Sequence, residues 1–200
     1  MRLLLGTKNR GKIAEIRAIL EEVPDIELLT VREQPFTDVP EDGETFEENA
    51  RKKARAISQE TGLAVLAEDS GLEVAALGGA PGVRSARFAG ETKDDRANIA
   101  KLLELLTGVT DRRARFRCVA VLHFPDGREW IGEGTLDGQI ALAPRGSAGF
   151  GYDPVFIPEG YEHTLAELGP QIKNQISHRR RALQALIAAI RGSSPRERAR

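Results

Sequence analysis

The sequence has 200 residues, of which 40% are hydrophobic and 30% charged, as in ordinary globular proteins with a sizeable core. Its 29 basic and 30 acidic residues nearly cancel, so the charge balance argues against a nucleic acid or a membrane as the partner. The single cysteine, Cys118, allows no intramolecular disulfide, and the three histidines are too widely spaced to build a zinc site with it. A reducing, cytoplasmic compartment is therefore expected. The first residues contain too short an apolar stretch for a signal peptide, and no later run approaches the length of a membrane span.

The N-terminal segment predicts a strand, a loop and a helix. Residues 2–5 are apolar enough for a short strand, and isoleucines and leucines recur at helical spacing over residues 13–20. The intervening loop, residues 6–12, therefore lies at a helix N-terminus, where backbone N–H groups and the helix dipole favour anions. Lys8 and Lys12 add positive charge to this loop. The pattern indicates either a phosphate-binding loop or a plain connector, and it lacks the spacing of a Walker loop.

An acidic loop precedes the second predicted helix. Residues 26–31 predict a strand, and the polar stretch 32–44 carries Glu41 close to its end. Thr45 and Glu48 form a capping-box pattern, which opens a helix that continues to about residue 60. The acids of the loop serve one of two purposes. Either they stabilise the start of the helix through its dipole, or Glu41 binds a divalent metal together with the acids after the third strand.

The apolar run 63–67 predicts a buried strand that stops at Glu68, Asp69, Ser70 and Gly71. Ligands of open α/β sheets bind beyond the carboxyl ends of strands, so acids at this position are candidates for chemistry. Successive strand residues face opposite ways, so we expect only one of Glu68 and Asp69 to face the site. The alternative is a strand that ends in an ordinary polar turn.

The middle of the chain predicts a helix followed by two strands. Residues 92–95 resemble an N-cap, and the helix that follows is expected to bury five aliphatic side chains, namely Ile99, Leu102, Leu103, Leu105 and Leu106. Residues 114–124 and 129–140 predict strands, with a turn at residues 125–127. Cys118 and Trp130 on these strands are expected to pack in the core or, for Trp130, at an interface.

Glycines alternate with aromatic residues over 144–154, ahead of a predicted strand at 155–157. This stretch indicates either a loop that closes over a flat ring or a turn with two aromatic residues in the core. A final helix is expected from Lys173 to about Arg191, with the basic run 177–181 near its start. The helix dipole disfavours a basic first turn, so we expect an anionic or hydrogen-bonding ligand beside it. The tail, residues 192–200, is expected to be disordered, after a single domain of residues 1–191.

These segments together resemble the inosine/xanthosine triphosphate pyrophosphatase family, which hydrolyses non-standard purine nucleoside triphosphates. The resemblance extends from about residue 3 to residue 190. It rests on seven motifs in register: Thr7-x-Asn9-x-x-Lys12, Thr45-Phe46-x-Glu48-Asn49-Ala50, Asp69-Ser70-Gly71, Gly78-Gly79-x-Pro81-Gly82, Ser85-Ala86-Arg87, Gly149-Phe150-Gly151-Tyr152-Asp153-Pro154 and Ser177-His178-Arg179. The chain departs from the usual motifs in Lys8, which replaces a glycine, and in Glu68, which replaces an aspartate.

The resemblance implies an α/β fold with a long mixed sheet flanked by helices, two lobes around a central cleft, a homodimer and dependence on Mg²⁺. It implies Asp69 as the catalytic residue and as a metal ligand, with Glu41 or Glu68 as a further ligand and Glu44 as an alternative to Glu41. The implied substrate-binding residues are Thr7, Lys8, Asn9, Arg10, Gly11 and Lys12 in the triphosphate loop, with Lys53, Ser70, Phe150, Gly151, Tyr152, Asp153, Lys173, His178 and Arg179.

The function expected from residues and resemblance together is hydrolysis of ITP, dITP and XTP to the monophosphate and pyrophosphate. Cations would neutralise the phosphates, and a metal-bound water would attack. Donors aimed at the C6 carbonyl of the base would exclude adenine. Two alternatives are a related pyrophosphatase that acts on modified pyrimidine nucleotides, and a nucleotide-binding protein without catalysis.

Overall fold

The computed structural model describes residues 1–21 and 23–192, which contain six strands and five α-helices. The strands are β1 (Arg2–Leu5), β2 (Glu27–Leu29), β3 (Ala64–Val74), β4 (Arg113–His123), β5 (Glu129–Ile140) and β6 (Phe156–Pro158). The helices are α1 (Arg10–Leu20), α2 (Phe46–Thr61), α3 (Asp95–Leu105), α4 (Leu165–Ile176) and α5 (His178–Gly192). No helix within this part of the chain is both long enough and apolar enough to cross a bilayer. Of the tail predicted to be disordered, Gly192 ends α5 and residues 193–200 lie outside the described residues.

The described strands form one mixed sheet in the order β2-β1-β3-β4-β5-β6. Strand β1 pairs in parallel with β2 and β3, whereas β5 and β6 are antiparallel. This arrangement confirms the predicted α/β fold with a mixed sheet and flanking helices. The central cleft and the single domain stay predictions.

The chain divides into two compact units. Among the described residues, unit 1 contains residues 1–69, 118–134 and 179–192, and unit 2 contains residues 70–117 and 135–178. The strands β3, β4 and β5 each begin in one unit and end in the other.

Unit 1 has helices on both faces of its strands. The even-numbered residues at the start of β3, Ala64 and Leu66, belong to a core that also contains Ile16 and Ile19 of α1 and Leu183 of α5. The odd-numbered residues face α2, because a side chain on Gly6 would contact both Val65 of β3 and Ile57 of α2. The side-chain alternation of β3 therefore sends neighbouring residues toward different helices.

Unit 2 builds its core from the parts of β3, β4 and β5 that belong to it, from β6 and from α3 and α4. Leu72, Leu102, Phe156 and Leu165 are all fully buried in this core. The expected apolar side of α3 is mostly confirmed, but Leu105 is 48% exposed and was wrongly predicted to be buried. Leu105 ends the helix on its exposed side, next to the exposed Glu104, whereas Leu106 directly after it is buried in the core.

Strand β3 continues through the acids at which it was predicted to stop. Leu72 and Val74 resume the burial pattern after Gly71, so the strand extends over 11 residues from Ala64 to Val74. Two buried carboxylates interrupt the hydrophobic pattern that the prediction used, but the backbone remains in the sheet. Glu68 and Asp69 therefore lie in the middle of a strand, and not beyond its end.

The predicted final helix is two helices. Helix α4 ends at Ile176, and Ser177 adopts an extended conformation with ψ of 154° before α5 begins at His178. Lys173 accordingly belongs to α4 and not to the start of the last helix. Gly169 and Pro170 break the periodicity of α4 and obscured it in the sequence, although Thr164 and Glu167 form a capping box that marks its start.

Candidate active site

The loop between β1 and α1 is held by its own side chains. Asn9 is the N-cap of α1, and its side-chain oxygen accepts the Lys12 backbone N–H at 3.0 Å. Thr7 Oγ1 accepts the Asn9 N–H at 3.2 Å. A Cβ on Gly6 would lie 3.0 Å from the Ala67 side chain, so the loop passes close to β3. The predicted phosphate loop thus has a fixed shape at a helix N-terminus, where N–H groups favour anions.

The remaining loop residues are nearer the surface. Arg10 begins α1 and is exposed, and Gly11 is partly exposed. Lys8, which stands where related motifs have glycine, pairs with Asp38 at 2.9 Å and lies 5.3 Å from the centre of the Phe36 ring. Within the apo protein, Lys8 therefore has partners away from the helix start.

Glu68 is a buried carboxylate surrounded by cations. Its side chain is 1% exposed and lies 2.8 Å from Lys12 Nζ and 3.5 Å from the Arg179 guanidinium. The Cys118 thiol donates to the same carboxylate at 3.3 Å. Burial alone would raise the pKa of Glu68, but Lys12 and Arg179 hold it well below its usual value. Glu68 therefore stays ionised and anchors Lys12.

Arg179 has carboxylate partners within the protein. It is 2% exposed in α5 and pairs with Glu15 of α1 as well as with Glu68. Burial opposes its charge, yet these two acids raise the pKa of Arg179. The basic run was expected to face a ligand, and the partners that the structure gives Arg179 are Glu15 and Glu68. Glu15 was missed in the sequence, although an acid within the apolar stripe of α1 is itself a signal of a buried ion pair.

Asp69 faces the opposite side of β3, toward α2. The Asn49 side-chain amide donates to its carboxylate at 2.9 Å, and the Asn49 side-chain oxygen accepts the Gly43 N–H at 2.8 Å. Asn49 therefore joins the acidic loop to Asp69. Lys53 of α2 pairs with Glu41 of that loop and donates to the Glu68 carbonyl at 2.7 Å. Burial raises the pKa of Asp69, against the lowering effect of Lys53, and the negative charge of Glu41 raises it further.

The donor set near Asp69 fits a hard divalent cation. No group of three or more His, Cys, Asp or Glu side chains placed to hold a metal occurs in residues 1–21 and 23–192. Mg²⁺, however, usually takes one or two carboxylates and completes its shell with water and substrate phosphates. Asp69 and Glu41 supply two carboxylates whose mutual repulsion a cation would relieve. Glu68 is the poorer candidate ligand, because two cations already contact its carboxylate.

The second cluster of predicted site residues lies in unit 2, around residues 149–153, here called the aromatic loop. Gly149 and Gly151 adopt left-handed φ values of 80° and 60°. The Asp153 carboxylate accepts the Phe150 N–H at 3.0 Å and pairs with Lys173 of α4 at 2.5 Å. Lys173 Nζ also lies 4.5 Å from the centre of the Phe150 ring. Phe150 is partly exposed, so its ring can offer a flat surface to a ligand.

Tyr152 and His178 are more deeply buried than a stacking role requires. The Tyr152 hydroxyl donates to the Ser85 carbonyl at 2.7 Å, and burial raises the pKa of this phenol. Tyr152 belongs to the core of unit 2, which leaves Phe150 as the stacking candidate of the pair. His178 is buried and stacks on Phe116, with ring centres 4.8 Å apart and nearly parallel planes. Ser70, the residue after Asp69, is partly exposed.

The predicted residues therefore divide between the two units. The group in unit 1 contains the phosphate loop with Glu41, Lys53, Glu68, Asp69 and Arg179. The group in unit 2 contains the aromatic loop with Ser70, Lys173 and His178.

Comparison with known proteins adds independent information. The sequence pattern of the Ham1 family matches residues 3–189. A curated relative from Desulforamulus reducens, named dITP/XTP pyrophosphatase, is 52% identical over 95% of this chain and 96% of its own length.

Solved structures of Ham1 proteins are similar to this chain as well. The Staphylococcus aureus Ham1 protein superposes with a TM-score of 0.85 at 44% identity, covering 97% of this chain and 100% of the other. A HAM1 protein from Coxiella burnetii superposes with a TM-score of 0.86 at 42% identity, covering 96% and 100%.

Proposed function

Because the chain belongs to the Ham1 family, we propose that it hydrolyses non-standard purine nucleoside triphosphates to the monophosphate and pyrophosphate. Its substrates are ITP, dITP and XTP, in keeping with the name of the relative that is 52% identical. One observation within the molecule carries the proposal: a loop at the N-terminus of α1 presents Lys12, which is anchored by the buried acid Glu68 next to Asp69.

The phosphates are bound by the start of α1 and by lysines. The helix N-terminus favours negative charge, and Lys12 contributes a cation whose position Glu68 fixes. Burial lowers the pKa of Lys12, but the carboxylates of Glu68 and Asp69 together raise it above its usual value, so Lys12 remains charged. Lys53, between Glu41 and Asp69, supplies a second cation. These charges offset the build-up of negative charge on the leaving pyrophosphate.

Asp69 is the general base or the residue that orients the attacking water. Burial raises its pKa, which makes it a stronger base than an exposed aspartate. Asn49 holds the carboxylate through a hydrogen bond of 2.9 Å. Asp69 and Glu41 would hold Mg²⁺, which when bound screens the phosphates and lowers the pKa of a coordinated water.

The purine base is recognised by residues of unit 2. Phe150 offers its ring for stacking, and Lys173 lies beside that ring. Hypoxanthine and xanthine carry a carbonyl at C6, where adenine carries an amino group. N–H donors that face C6 therefore bind hypoxanthine and xanthine more tightly than adenine. Lys173 and His178 are such donors, whereas the Phe150 and Gly151 N–H groups of the aromatic loop are already bonded to Asp153 and Asp95. Because Glu15 and Glu68 already contact Arg179, we assign Arg179 to the support of Lys12.

The family resemblance also supports a homodimer. A cytoplasmic location is in keeping with the single, buried cysteine, which forms no disulfide within the chain.

Pyrophosphate release from ITP, dITP, XTP, ATP, GTP and dUTP, with Mg²⁺ or with a chelator, tests the proposal. We expect kcat/KM for ITP, dITP and XTP to exceed that for ATP and GTP at least about 100-fold, and the chelator to abolish turnover. Preferred turnover of dUTP would support the pyrimidine alternative, and binding without turnover would support a non-catalytic protein. Full turnover under chelation would contradict the metal proposal alone.

A further inference from the structure

Helix α3 contacts the aromatic loop through its first residue. The Asp95 carboxylate accepts the backbone N–H of Gly151 at 2.7 Å, across 56 residues of sequence. Neither the sequence motifs nor the proposed function assigns a role to Asp95.

The aromatic loop needs such a restraint because glycine leaves its backbone flexible. Gly149 and Gly151 flank Phe150 and adopt left-handed conformations with positive φ. Glycine adopts positive and negative φ values about equally readily, so these two residues do not by themselves fix the loop. Two successive amides of the loop are held by carboxylates. Asp153, within the loop, accepts the Phe150 N–H at 3.0 Å, and Asp95 accepts the Gly151 N–H. Asp95 joins the loop to α3, whereas Asp153 joins it to α4 through Lys173.

Helix α3, which carries Asp95, is held in place by the core of unit 2 and by side-chain hydrogen bonds. Ile99 and Leu102 are buried in the core of unit 2. The Asn98 side chain accepts the Ala89 N–H at 2.7 Å and donates to the Ala86 carbonyl at 3.0 Å, which holds the segment before the helix. A carboxylate in the first turn is also favoured by the helix dipole. The exposed Asp95 side chain is therefore placed by a rigid element.

We propose that Asp95 is a positioning residue for base recognition, which fixes the peptide between Phe150 and Gly151 and thereby the Phe150 ring. This inference rests on the proposed function, because it assigns Phe150 to the purine. Asp95 acts through the loop and touches neither the phosphates nor the reacting atoms. Its loss should weaken binding of the base and leave the hydrolytic step intact.

Kinetics of Asp95→Ala, with Asp94→Ala as the matched control, test the proposal. Asp94 caps the same helix by accepting the Arg96 and Ala97 N–H groups, so its loss weakens α3 without removing the loop contact. We expect Asp95→Ala to raise KM for ITP about tenfold while kcat changes less than about twofold, since one charge-assisted hydrogen bond is lost. Inhibition by inorganic pyrophosphate, which has no base, should be unchanged. Asp95→Asn, which keeps an acceptor oxygen, should restore most of the affinity.

Amide hydrogen exchange without nucleotide checks the anchoring itself. Exchange at Gly151 should be about tenfold faster in Asp95→Ala than in the wild type and in Asp94→Ala. Unchanged exchange, or an equal KM increase in both variants, would overturn the proposal. Should the wild type not hydrolyse ITP, the proposed function fails, and the variants are then compared by calorimetry with ITP. Equal affinities in that experiment would overturn the role of Asp95 as well.

Discussion

At the residue scale, Glu68 and Asp69 are neighbours with opposite electrostatic environments. Glu68 faces Lys12 and Arg179, which hold its pKa well below the usual value, whereas burial raises the pKa of Asp69. The alternation of strand side chains predicted that only one acid would face the site. The sequence could not identify which one, because the answer depends on Arg179, which is 111 residues away from Glu68. Environments that push two pKa values apart are typical of sites where one acid supports and the other reacts.

Replacing Asp69 with asparagine removes the ionisable group and keeps its shape. We expect Asp69→Asn to lower kcat for ITP about 1,000-fold, because the base and a metal charge partner are both lost. The fold should persist. Burial raises the pKa of Asp69, which means that the ionised carboxylate destabilises the folded state, so its replacement by a neutral amide should not unfold the protein. Steady-state turnover and thermal unfolding measure the two effects.

Asp42→Asn is the matched control for this variant. Asp42 is an exposed acid of the same loop as Glu41 and pairs with Lys52 at 2.5 Å. Its loss should leave kcat within about twofold, as for an exposed ion pair remote from the reacting atoms. If Asp69→Asn retained its turnover, or if Asp42→Asn lost as much kcat as Asp69→Asn, the assignment of Asp69 as the catalytic residue would be wrong.

At the scale of elements, the bounds of strand β5 were predicted from the sequence, but its close contact with α5 was not. Its bounds, Glu129–Ile140, agree with the strand expected from residues 129–140. A Cβ on Gly132 would collide with the Ala182 carbonyl and lie 2.8 Å from the Leu186 Cβ, both in α5. The glycine therefore permits close approach of helix and strand in unit 1. Periodicity predicts where a strand lies, but which glycine a helix will cross depends on tertiary packing.

Gly132→Ala should destabilise unit 1 by overpacking. We expect the free energy of unfolding in urea to fall by about 1–3 kcal/mol, because backbone atoms of α5 must move to admit the methyl group. Gly192→Ala is the control, since a Cβ there meets no atom within 4 Å among the described residues. A loss of the same size in both variants would contradict the packing argument.

At the scale of the whole molecule, the mixed sheet and the family were predictable, and the resemblance implied two lobes, but the boundaries of the two units were not predicted. Domain boundaries are usually recognised by polar or flexible linkers. Here the chain passes between units inside β3, β4 and β5, at residues 69–70, 117–118 and 134–135, where the sequence is that of a strand. The motifs and the resemblance predicted residues in both units as site residues, and their roles stay predictions, whereas Glu15 and Asp95 were missed because each contacts a residue distant in sequence.

The aromatic residues allow the two units to be followed separately during unfolding. The single tryptophan, Trp130, lies in unit 1, and both tyrosines, Tyr152 and Tyr161, lie in unit 2. We expect tryptophan fluorescence and tyrosine absorbance to give the same midpoint in urea, because three uninterrupted strands belong to both units. Two separated midpoints would show that the units unfold independently.

The placement of Glu68 and Asp69 within β3 also limits how this chain can diverge in evolution. Active-site loops commonly gain and lose residues without harm to the scaffold. In a strand, one inserted or deleted residue exchanges the faces of every side chain beyond it. Such an event near Leu66 would direct the aspartate toward α1 and α5 and the glutamate toward α2. New specificities in this chain must therefore arise around β3 by substitution, while length changes are confined to the connections outside the sheet.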